Sequence, residues 1–234
     1  MSWIVEALFP RRCPVCREIV PLGSMIHPEC EPFLQLVKGP RCMRCGRGLS
    51  SEGEYCRHCG PEGERLFRGV IGYDYGEPAV RELIYRVKYH NERQYLDYPC
   101  REMAVFYREE AVRFRADFIV PVPVHPARRR KRGFNQAEEI AKRFGEVWEL
   151  PVEKKLLRRT RKTAPQKELG ASARLSNLTG AFTADERAMP KNARIILADD
   201  IYTTGSTVQA CAAALKKAGA GEVFSAVLAG GKDL

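Results

Sequence analysis

Two sets of metal-binding residue types recur in the first sixty residues with the same spacing. Each set has two potential ligands separated by two residues, then ten intervening residues, then a second such pair. The sets are Cys13, Cys16, His27 and Cys30 and, 29 positions later, Cys42, Cys45, Cys56 and Cys59. Zn²⁺ binds four nitrogen or sulfur ligands in a tetrahedron, and a Cys-x-x-Cys turn directs two sulfurs to one point. Because the whole unit repeats in register, the spacing predicts two structural zinc ribbons.

Other roles for these cysteines make different demands on the chain. A disulfide framework suits a secreted protein, but no apolar signal segment with a small-residue cleavage site opens the sequence. We therefore expect an intracellular, cytoplasmic protein whose cysteines bind metal. His27 has an alternative role as a solvated loop residue beside Pro28, which would leave three thiols and an incomplete site. Cys100 and Cys211 lie outside the repeat and are expected to be small buried hydrophobic residues.

A second group of chemically capable side chains follows an apolar run near the C-terminus. Directly after residues 195–198 come Asp199 and Asp200, and then Thr203, Thr204, Gly205, Ser206 and Thr207. Backbone N–H groups that open a helix are unpaired and attract a phosphate, while two neighbouring carboxylates can accept hydrogen bonds from adjacent sugar hydroxyls. This order of strand, acid pair and hydroxyl-rich turn predicts a pocket for a ribose 5-phosphate. In the structural alternative, Thr204 or Ser206 caps a helix and the acids favour its N-terminus.

Length and charge define the kind of protein that holds these groups. The chain has 234 residues, of which 44% are hydrophobic, and a formal net charge of +10. Residues 128–162 contain thirteen bases and five acids, and the bases are densest at residues 128–132 and 158–162. Such a charge favours anionic partners such as phosphates, nucleic acid or an acidic protein, although part of it is a solvated helix face. No apolar run is long enough to span a membrane, so we expect no membrane insertion.

The remaining pattern predicts the elements that position both groups of residues. A polar Gly/Pro stretch divides a ribbon module at residues 1–62 from a larger domain at residues 66–234. The ribbon module has too little apolar periodicity to build a core, so metal is expected to supply its folding energy. Strands are predicted at residues 67–75, 117–124, 194–198 and 222–228, and helices at 78–88, 94–114, 135–148 and 207–218. Alternating strands and helices predict an α/β fold with a mostly parallel sheet.

Residues 195–207 resemble the phosphoribosyl-pyrophosphate (PRPP) signature of type I phosphoribosyltransferases. Other segments narrow the resemblance to the ComF family, whose members join an N-terminal zinc ribbon module to such a domain. These segments are residues 83–88, 121–123 and 132–136 and the spaced set Arg159, Thr160, Thr163, Gln166, Leu169, Arg174, Asn177 and Phe182. The resemblance covers nearly the whole chain. It implies a type I phosphoribosyltransferase fold with a small N-terminal zinc-ribbon module, and a role in handling single-stranded DNA during natural transformation.

The resemblance also implies roles for individual residues. Asp199 and Asp200 would be the catalytic pair that holds the ribose hydroxyls, and residues 203–207 would bind the 5-phosphate. Six residues would lie on the pyrophosphate side: Pro121, Val122, Pro123, Lys88, Arg128 and Arg132. Four residues would belong to a flap over the site: Arg159, Thr163, Gln166 and Arg174. Mg²⁺ bound mainly through PRPP oxygens is the implied cofactor, because departing pyrophosphate needs its charge neutralised.

Two functions from different classes stay open at this point. One is a Mg²⁺- and PRPP-dependent phosphoribosyltransferase, a glycosyltransferase acting on pentosyl groups, whose acceptor the sequence does not define. The other is a non-catalytic module on the same fold that binds single-stranded DNA or a helicase-like DNA-uptake protein. In that case the basic segments would contact mainly the DNA backbone. Aromatic residues able to stack on bases near those segments are few, chiefly Phe134 and Trp148.

Overall fold

The computed structural model describes residues 10–50, 52–60, 66–161, 178 and 180–232. The strands are β1 (Arg68–Asp74), β2 (Phe118–Pro121), β3 (Leu157–Arg159), β4 (Phe182–Ala184), β5 (Arg194–Tyr202) and β6 (Glu222–Gly230). The α-helices are α1 (Pro78–His90), α2 (Asp97–Phe106), α3 (Arg108–Phe114), α4 (Pro126–Arg132), α5 (Gln136–Trp148) and α6 (Ser206–Lys217). Short 3₁₀ segments span Pro28–Phe33 and Arg93–Leu96. Three predicted flap residues, Thr163, Gln166 and Arg174, and the predicted domain boundary at residues 61–65 lie outside the described residues.

Four parallel strands form the central sheet, in the order β1-β6-β5-β2. The two inner strands are also the longest, and β5 pairs with β6 from Arg194 opposite Glu222 to Tyr202 opposite Gly230. Parallel neighbours cannot be joined by a hairpin, so helices cross over between them. A separate antiparallel pair consists of β3 and β4. The predicted α/β fold with a mostly parallel sheet is confirmed.

Residues of β5 alternate between two hydrophobic clusters, one on each face of the sheet. Ile196 and Ala198 pack in a cluster with residues of α1, α2 and α5, whereas Ile195 and Leu197 pack in a cluster with residues of α6. Successive side chains of a strand point to opposite faces, which explains the alternation. Because both faces are covered, the strand is a continuous apolar run. In such a sheet, a polar pocket opens at the carboxyl ends of the strands.

The helical segment predicted at residues 94–114 is divided into a 3₁₀ turn followed by α2 and α3. Pro99 accounts for the first break, because a proline has no N–H and is tolerated only in the first turn of a helix. The strand predicted at residues 117–124 is also shorter, since β2 ends at Pro121. The longest helices in the described part of the chain, α1 and α5, have 13 residues each. No helix of the described residues is long and apolar enough to cross a membrane.

Two further elements differ from the sequence prediction near the candidate site. The strand predicted at residues 194–198 continues to Tyr202, because its pairing with β6 extends past the two acids. Helix α4 forms in a segment whose apolar pattern predicts no helix. Pro126 occupies its first turn, where no N–H is needed, and His125 Nδ1 accepts a hydrogen bond from Ala127 N–H at 3.2 Å. The local capping residues therefore define this basic helix.

Both ribbon segments pack against the larger domain. Val37 N–H donates to the Gly72 carbonyl and Gly69 N–H donates to the Arg44 carbonyl, each at 2.8 Å, so ribbon residues line the outer edge of β1. Gly46 has a φ of 73°, and a Cβ there would overlap the Gly69 carbonyl, so only glycine allows this close approach. The buried cysteines of the first ribbon join the cluster on the α1 side, and those of the second join the cluster on the α6 side. The ribbons thus share the core of the domain.

The open edge of β2, on the other side of the sheet, is also covered. Ile119 N–H donates to the Pro151 carbonyl at 2.9 Å, and Glu153 N–H donates to the Ile119 carbonyl at 2.8 Å. The chain after α5 therefore runs beside β2 in the manner of a short extra strand, and Ile119 pairs with Val152. Each outer strand of the sheet is in this way hydrogen-bonded on its outer side.

Candidate functional site: zinc ribbons and an acid pair beside a helix start

The second ribbon brings its four thiols together as a metal site requires. The sulfurs of Cys42, Cys45, Cys56 and Cys59 all lie within 4.8 Å of one another, and all four residues are buried. Cys45 Sγ is 3.8 Å from Cys56 Sγ. Sulfurs placed about 2.3 Å from a central Zn²⁺ at tetrahedral angles are about 3.8 Å apart, so the set has the size of a zinc site.

Crowding perturbs the acidity of these thiols. The hydrogen bond with Cys45 lowers the pKa of Cys42, and the same contact raises the pKa of Cys45. Four neighbouring thiols cannot all become thiolates unless a cation compensates their charge. Zn²⁺ binds the thiolate form and supplies that charge, so metal binding is coupled to the folding of the ribbon.

The first ribbon contains the histidine ligand. Cys13, Cys16, His27 and Cys30 also offer ligand atoms within 4.8 Å of one another. His27 Nδ1 lies 3.2 Å from Cys16 Sγ, and His27 Nε2 lies 3.1 Å from the Ile19 carbonyl. A carbonyl only accepts, so Nε2 carries the hydrogen and the lone pair of Nδ1 points to the sulfurs. His27 therefore belongs to the ligand set and is not a free loop residue.

We expect elemental analysis of the purified protein to give two zinc ions per chain, one for each ligand set. His27→Ala should lose the ion of the first ribbon and retain about one per chain. His27→Cys is the matched control, because the second ribbon has a cysteine at the equivalent position, and it should retain both ions. A single zinc ion in the unmodified protein, or two in His27→Ala, would contradict the assignment of His27.

The predicted acid pair lies inside β5 and not beyond its end. Asp199 is opposite Val227 of β6 and is on the α6 side, whereas Asp200 is on the α1 side. Asp199 Oδ1 accepts a hydrogen bond from Asp200 N–H at 2.9 Å, which turns the Asp199 carboxyl back toward its neighbour. The two carboxyls therefore influence each other's pKa, although their positions in the strand alternate.

Burial and the Lys88 ammonium together shift the pKa values of the two acids in opposite directions. Asp199 and Asp200 are only 8% and 7% exposed. Burial raises the pKa of Asp199 well above its usual value, and the charge of Asp200 raises it further. Burial would also raise the pKa of Asp200, but Lys88 forms an ion pair with Asp200 Oδ2 and, together with the Asp199 carboxyl, lowers the net pKa. The pair therefore carries one proton and one negative charge, which the Lys88 ammonium balances.

The hydroxyl-rich turn connects β5 to α6, as predicted. Gly205 precedes α6 with a φ of 80°, and a Cβ at this position would overlap the Tyr202 hydroxyl. Thr204 Oγ1 lies 2.7 Å from Ser206 Oγ and accepts a long hydrogen bond from Ser206 N–H at 3.4 Å. The predicted alternative, in which Thr204 or Ser206 caps the helix, has little support. The N-cap residue is Gly205, which has no side chain to accept a hydrogen bond. Thr203 is exposed and Thr207 is half-buried.

The predicted pyrophosphate-side segment lies beside the acid pair. Val122 N–H donates to the Ala198 carbonyl at 2.9 Å, immediately before Asp199, so residues 121–123 run along the carboxyl end of β5. Asn135 Nδ2 donates to the Val122 carbonyl at 3.0 Å. Asn135 Oδ1 also accepts from Ala137 N–H at 3.1 Å and caps α5. Both polar atoms of the Asn135 side chain are therefore occupied by backbone partners, as expected of a helix-capping residue.

Three predicted arginines converge on the same place from different segments. The charge of Arg132, in α4, acts on Asp200, and that of Arg159, in β3, acts on Asp199. Burial lowers the pKa of Arg132 and of Arg159, and the charge of the exposed Arg128 lowers both further. This repulsion acts on both guanidinium groups that lie near the acid pair. An anionic ligand would relieve it.

Two residues at the site are missing from the sequence prediction. Arg47, in the second ribbon, donates a hydrogen bond to the Thr203 carbonyl. Tyr202 lies under the turn, and its ring is 5.4 Å from the guanidinium carbon of Arg47. In the sequence, Tyr202 resembles any other apolar residue of a buried strand. Arg47 is one of 39 lysines and arginines, and nothing distinguishes it from the others. No feature of the sequence relates a residue of the ribbon to the turn 156 positions later.

The two acids should affect stability in opposite directions when each is replaced by asparagine. The folded state of Asp199 retains a proton that the unfolded chain has released at neutral pH, so this residue destabilises the fold increasingly as pH rises above about 4. Asp199→Asn keeps the hydrogen bonds without the charge. We expect it to raise the free energy of unfolding at pH 7 by about 1 kcal/mol.

Asp200→Asn should have the reverse effect, because it leaves the Lys88 ammonium without its partner. The expected loss is about 3 kcal/mol at pH 7, the usual order for breaking a buried ion pair. The stability that Asp200 contributes should be lost only below pH 4, as its lowered pKa is passed. Urea denaturation of both variants between pH 3 and 8 tests this, and stability changes of the same sign for the two at pH 7 would contradict the single-proton description.

Comparisons with known proteins agree with this arrangement. The family model described as "Phosphoribosyl transferase domain" matches residues 94–233, and the one described as "Double zinc ribbon domain" matches residues 4–60. A solved structure of the allosteric regulatory enzyme of purine biosynthesis superimposes with a TM-score of 0.39 and 19% identity over 57% of this chain and 26% of its own. That likeness is too distant to carry an argument.

Three characterised relatives match the chain along most of their length. "Competence protein F" of Haemophilus influenzae is 29% identical over 92% of this chain and 95% of its own. "DNA utilization protein YhgH" of Escherichia coli K12 is 29% identical over 92% and 94%. "Competence protein ComFC" of Streptococcus pneumoniae is 27% identical over 86% and 85%. The chain therefore belongs to the phosphoribosyl transferase domain family and, with a double zinc ribbon in front of that domain, to its ComF branch.

Proposed function

We propose that the carboxyl end of β5 and the start of α6 bind the sugar phosphate of PRPP, or of a related compound, with Mg²⁺. The observation that carries the proposal is the buried acid pair, Asp199 and Asp200, placed three residues before a hydroxyl-bearing turn that opens a helix. Positive charge from Lys88 and neighbouring arginines surrounds the pair. These groups complement the sugar hydroxyls and the phosphates of one ligand.

The acid pair would hold the ribose. Its two carboxyls belong to adjacent residues, and that of Asp199 is turned toward Asp200, so the pair could accept from two adjacent hydroxyls. Lys88 balances the charge of Asp200 through their ion pair. When hydroxyl groups donate to Asp200 instead, Lys88 would be released toward the pyrophosphate side of the site, beside residues 121–123.

The turn would hold the 5-phosphate. It leads directly into α6, whose first N–H groups and positive dipole end favour an anion. The hydroxyls of Thr204 and Ser206 lie 2.7 Å apart and can turn from each other to a phosphate oxygen. Thr203 and Thr207 would add further hydroxyl donors at the exposed side of the turn.

Mg²⁺ would be bound mainly by the ligand. Among the described residues, the groups of three or more metal-ligating side chains are the two ribbon sets, and the acid pair adds only two carboxyls. Mg²⁺ commonly combines one or two carboxylates with phosphate oxygens and water, so this donor set fits it. The ion would supply charge neutralisation for the pyrophosphate group.

The same arrangement supports pentosyl transfer. In that reaction the bond between C1 of the ribose and pyrophosphate breaks with its electron pair on the pyrophosphate oxygen, and an acceptor lone pair forms the new bond to C1. Arg128, Arg132 and Lys88 would stabilise the charge that develops on the leaving group, and the proposal is supported by the charges of Arg132 and Lys88 beside Asp200. The flap residue Arg159 would close the site from the β3 side.

Calorimetry in the presence of Mg²⁺ should detect PRPP binding to the unmodified protein. Asp200→Asn should weaken binding at least tenfold, because it removes the charged acceptor for a sugar hydroxyl, an interaction of about 1.5–3 kcal/mol. Asp117→Asn is the matched control, since Asp117 precedes β2 at the opposite end of the sheet and accepts from Arg194 N–H. Absence of heat with PRPP in the unmodified protein would refute the proposed ligand.

We infer a second role, in binding single-stranded DNA, from the surface next to this site. The relatives named for competence and DNA utilization suggest a part in DNA uptake. Tyr85, Tyr89 and His90 of α1 form an exposed aromatic row, with ring centroids 4.9 and 5.5 Å from Tyr85. Arg132 lies over Tyr89 at 5.7 Å. Aromatic faces beside basic side chains suit the bases and backbone of a single strand.

The aromatic row on α1 differs from the stacking residues predicted from the sequence, Phe134 and Trp148. Phe134 and Trp148 are buried, so neither can stack on a base. Phe134 packs under Arg93 at 4.4 Å, and Trp148 Nε1–H donates to the Ala104 carbonyl at 2.8 Å. Trp148 belongs to α5, and Phe134 lies just before that helix. The spacing of apolar residues alone does not show whether such an aromatic side chain is buried or exposed. A helicase-like partner for the ribbons stays a prediction from the family resemblance.

The affinity for oligo(dT), measured by fluorescence anisotropy at several salt concentrations, should distinguish the electrostatic contribution to DNA binding from the stacking contribution. Arg130→Ala with Lys131→Ala removes two exposed charges of α4 and should lower the slope of log affinity against log salt by about 1.4. Tyr89→Ala should weaken binding about tenfold at every salt concentration with the slope unchanged. Arg113→Ala with Lys191→Ala, an equal loss of exposed charge elsewhere, is the control. Equal slope changes in the two double variants would show that net charge alone is responsible.

A further inference from the structure

Arg47 is anchored by its backbone to the metal-binding turn of the second ribbon. Its N–H donates to the Cys45 sulfur, and its carbonyl accepts from Cys42 N–H at 2.8 Å. The preceding residue, Gly46, is fixed against β1 by the close approach to Gly69. The position of the Arg47 Cα therefore depends on whether the turn around the thiols is formed.

The Arg47 side chain leaves the ribbon and ends at the turn before α6. Its Nη2 donates to the Thr203 carbonyl, and its guanidinium carbon lies 5.4 Å from the centre of the Tyr202 ring. The residue is only 5% exposed. Its Nε is buried without a hydrogen-bond partner among the described residues, and none of the ion pairs found there involves Arg47. Burying a guanidinium group with so few acceptors costs free energy of folding. A function of Arg47 at the turn would explain why this cost is tolerated.

Arg47 contacts the start of the turn directly and influences its other end only through Tyr202. At the first end it fixes the Thr203 carbonyl. At the other end it lies against Tyr202, whose hydroxyl occupies the space that a side chain at Gly205 would need. A donor to the Thr203 carbonyl also polarises the peptide that joins Thr203 to Thr204, which makes the Thr204 N–H a stronger donor to an anion.

We propose that Arg47 is a positioning residue for the phosphate-binding turn, so that the zinc site of the second ribbon contributes to ligand affinity without contacting the ligand. This rests on the proposed function of the turn. Arg47 fixes the backbone of the turn in its binding conformation before the ligand arrives, and its unneutralised charge adds to the field that attracts phosphate. The ribbon is then part of the sugar-phosphate site and not only a neighbouring module.

The test compares Arg47→Met, which keeps the bulk but removes the donors and the charge, with Arg47→Lys, which keeps a donor and the charge. Arg44→Met is the matched control. Arg44 belongs to the same ribbon, but its side chain lies over Tyr55 and donates to the Cys59 carbonyl at 3.4 Å. Zinc content, PRPP affinity by calorimetry with Mg²⁺, and hydrogen exchange of the amides at residues 203–208 are measured for each protein.

We expect Arg47→Met to bind PRPP about tenfold more weakly, as the loss of one charge-assisted hydrogen bond implies, and to keep two zinc ions per chain. Exchange at residues 203–208 should become faster in the same variant. Arg47→Lys should recover most of the affinity, and Arg44→Met should match the unmodified protein in every measurement.

Other outcomes overturn the inference. Wild-type affinity and exchange in Arg47→Met would show that the turn is formed without Arg47, while the proposed function would stand. Loss of zinc in Arg47→Met, or equal weakening in Arg44→Met, would show a general structural role of the ribbon surface. If the unmodified protein does not bind PRPP, the proposed function fails, and the exchange of residues 203–208 in Arg47→Met against Arg44→Met still decides whether Arg47 orders the turn.

Discussion

Two carboxylic acids are buried side by side at the carboxyl end of β5, and one ammonium group balances them. Asp199 and Asp200 could not both ionise at such low exposure, so the pair retains a proton and relies on Lys88 for its remaining charge. Lys88 reaches Asp200 only because α1 packs on the face of the sheet toward which Asp200 points. The placement of α1, the extension of β5 past residue 198 and the convergence of arginines from α4 and β3 all serve this one polar cluster in an otherwise apolar layer.

The ribbons and the larger domain share hydrophobic clusters in the described residues. Their buried cysteines belong to the two apolar clusters that cover the sheet, one ribbon on each side. The second ribbon also reaches the site itself through Arg47. A small segment that cannot bury enough apolar surface alone is thus stabilised twice, by metal and by the core of its neighbour. This arrangement gives the ribbon a place in the site that its position in the sequence does not suggest.

Local patterns predicted the zinc ligands, the parallel sheet and the turn after β5, because each depends on residues close together in the sequence. The paired ligands around Cys42 and Cys56, for example, need only short turns. Contacts between distant segments could not be predicted in this way. The family resemblance indicated Lys88 only as a residue of the pyrophosphate side, so its ion pair with Asp200 was not predicted, and neither was the contact of Arg47 with Thr203. The exposure of Tyr89 against the burial of Phe134 likewise depends on which helix face the sheet covers.

The outer side of β1 is hydrogen-bonded by ribbon residues, with Gly69 N–H donating to Arg44 and the Gly72 carbonyl accepting from Val37. If chelation released the zinc, these partners would depart with the unfolding ribbon, and β1 would become a bare strand edge. Such an edge recruits strands from other molecules. Metal-depleted protein is therefore expected to aggregate through β1 instead of persisting as a monomer with a loose N-terminal tail. Zinc would thus prevent aggregation, by keeping the edge of β1 covered, as well as stabilise the fold of the ribbon.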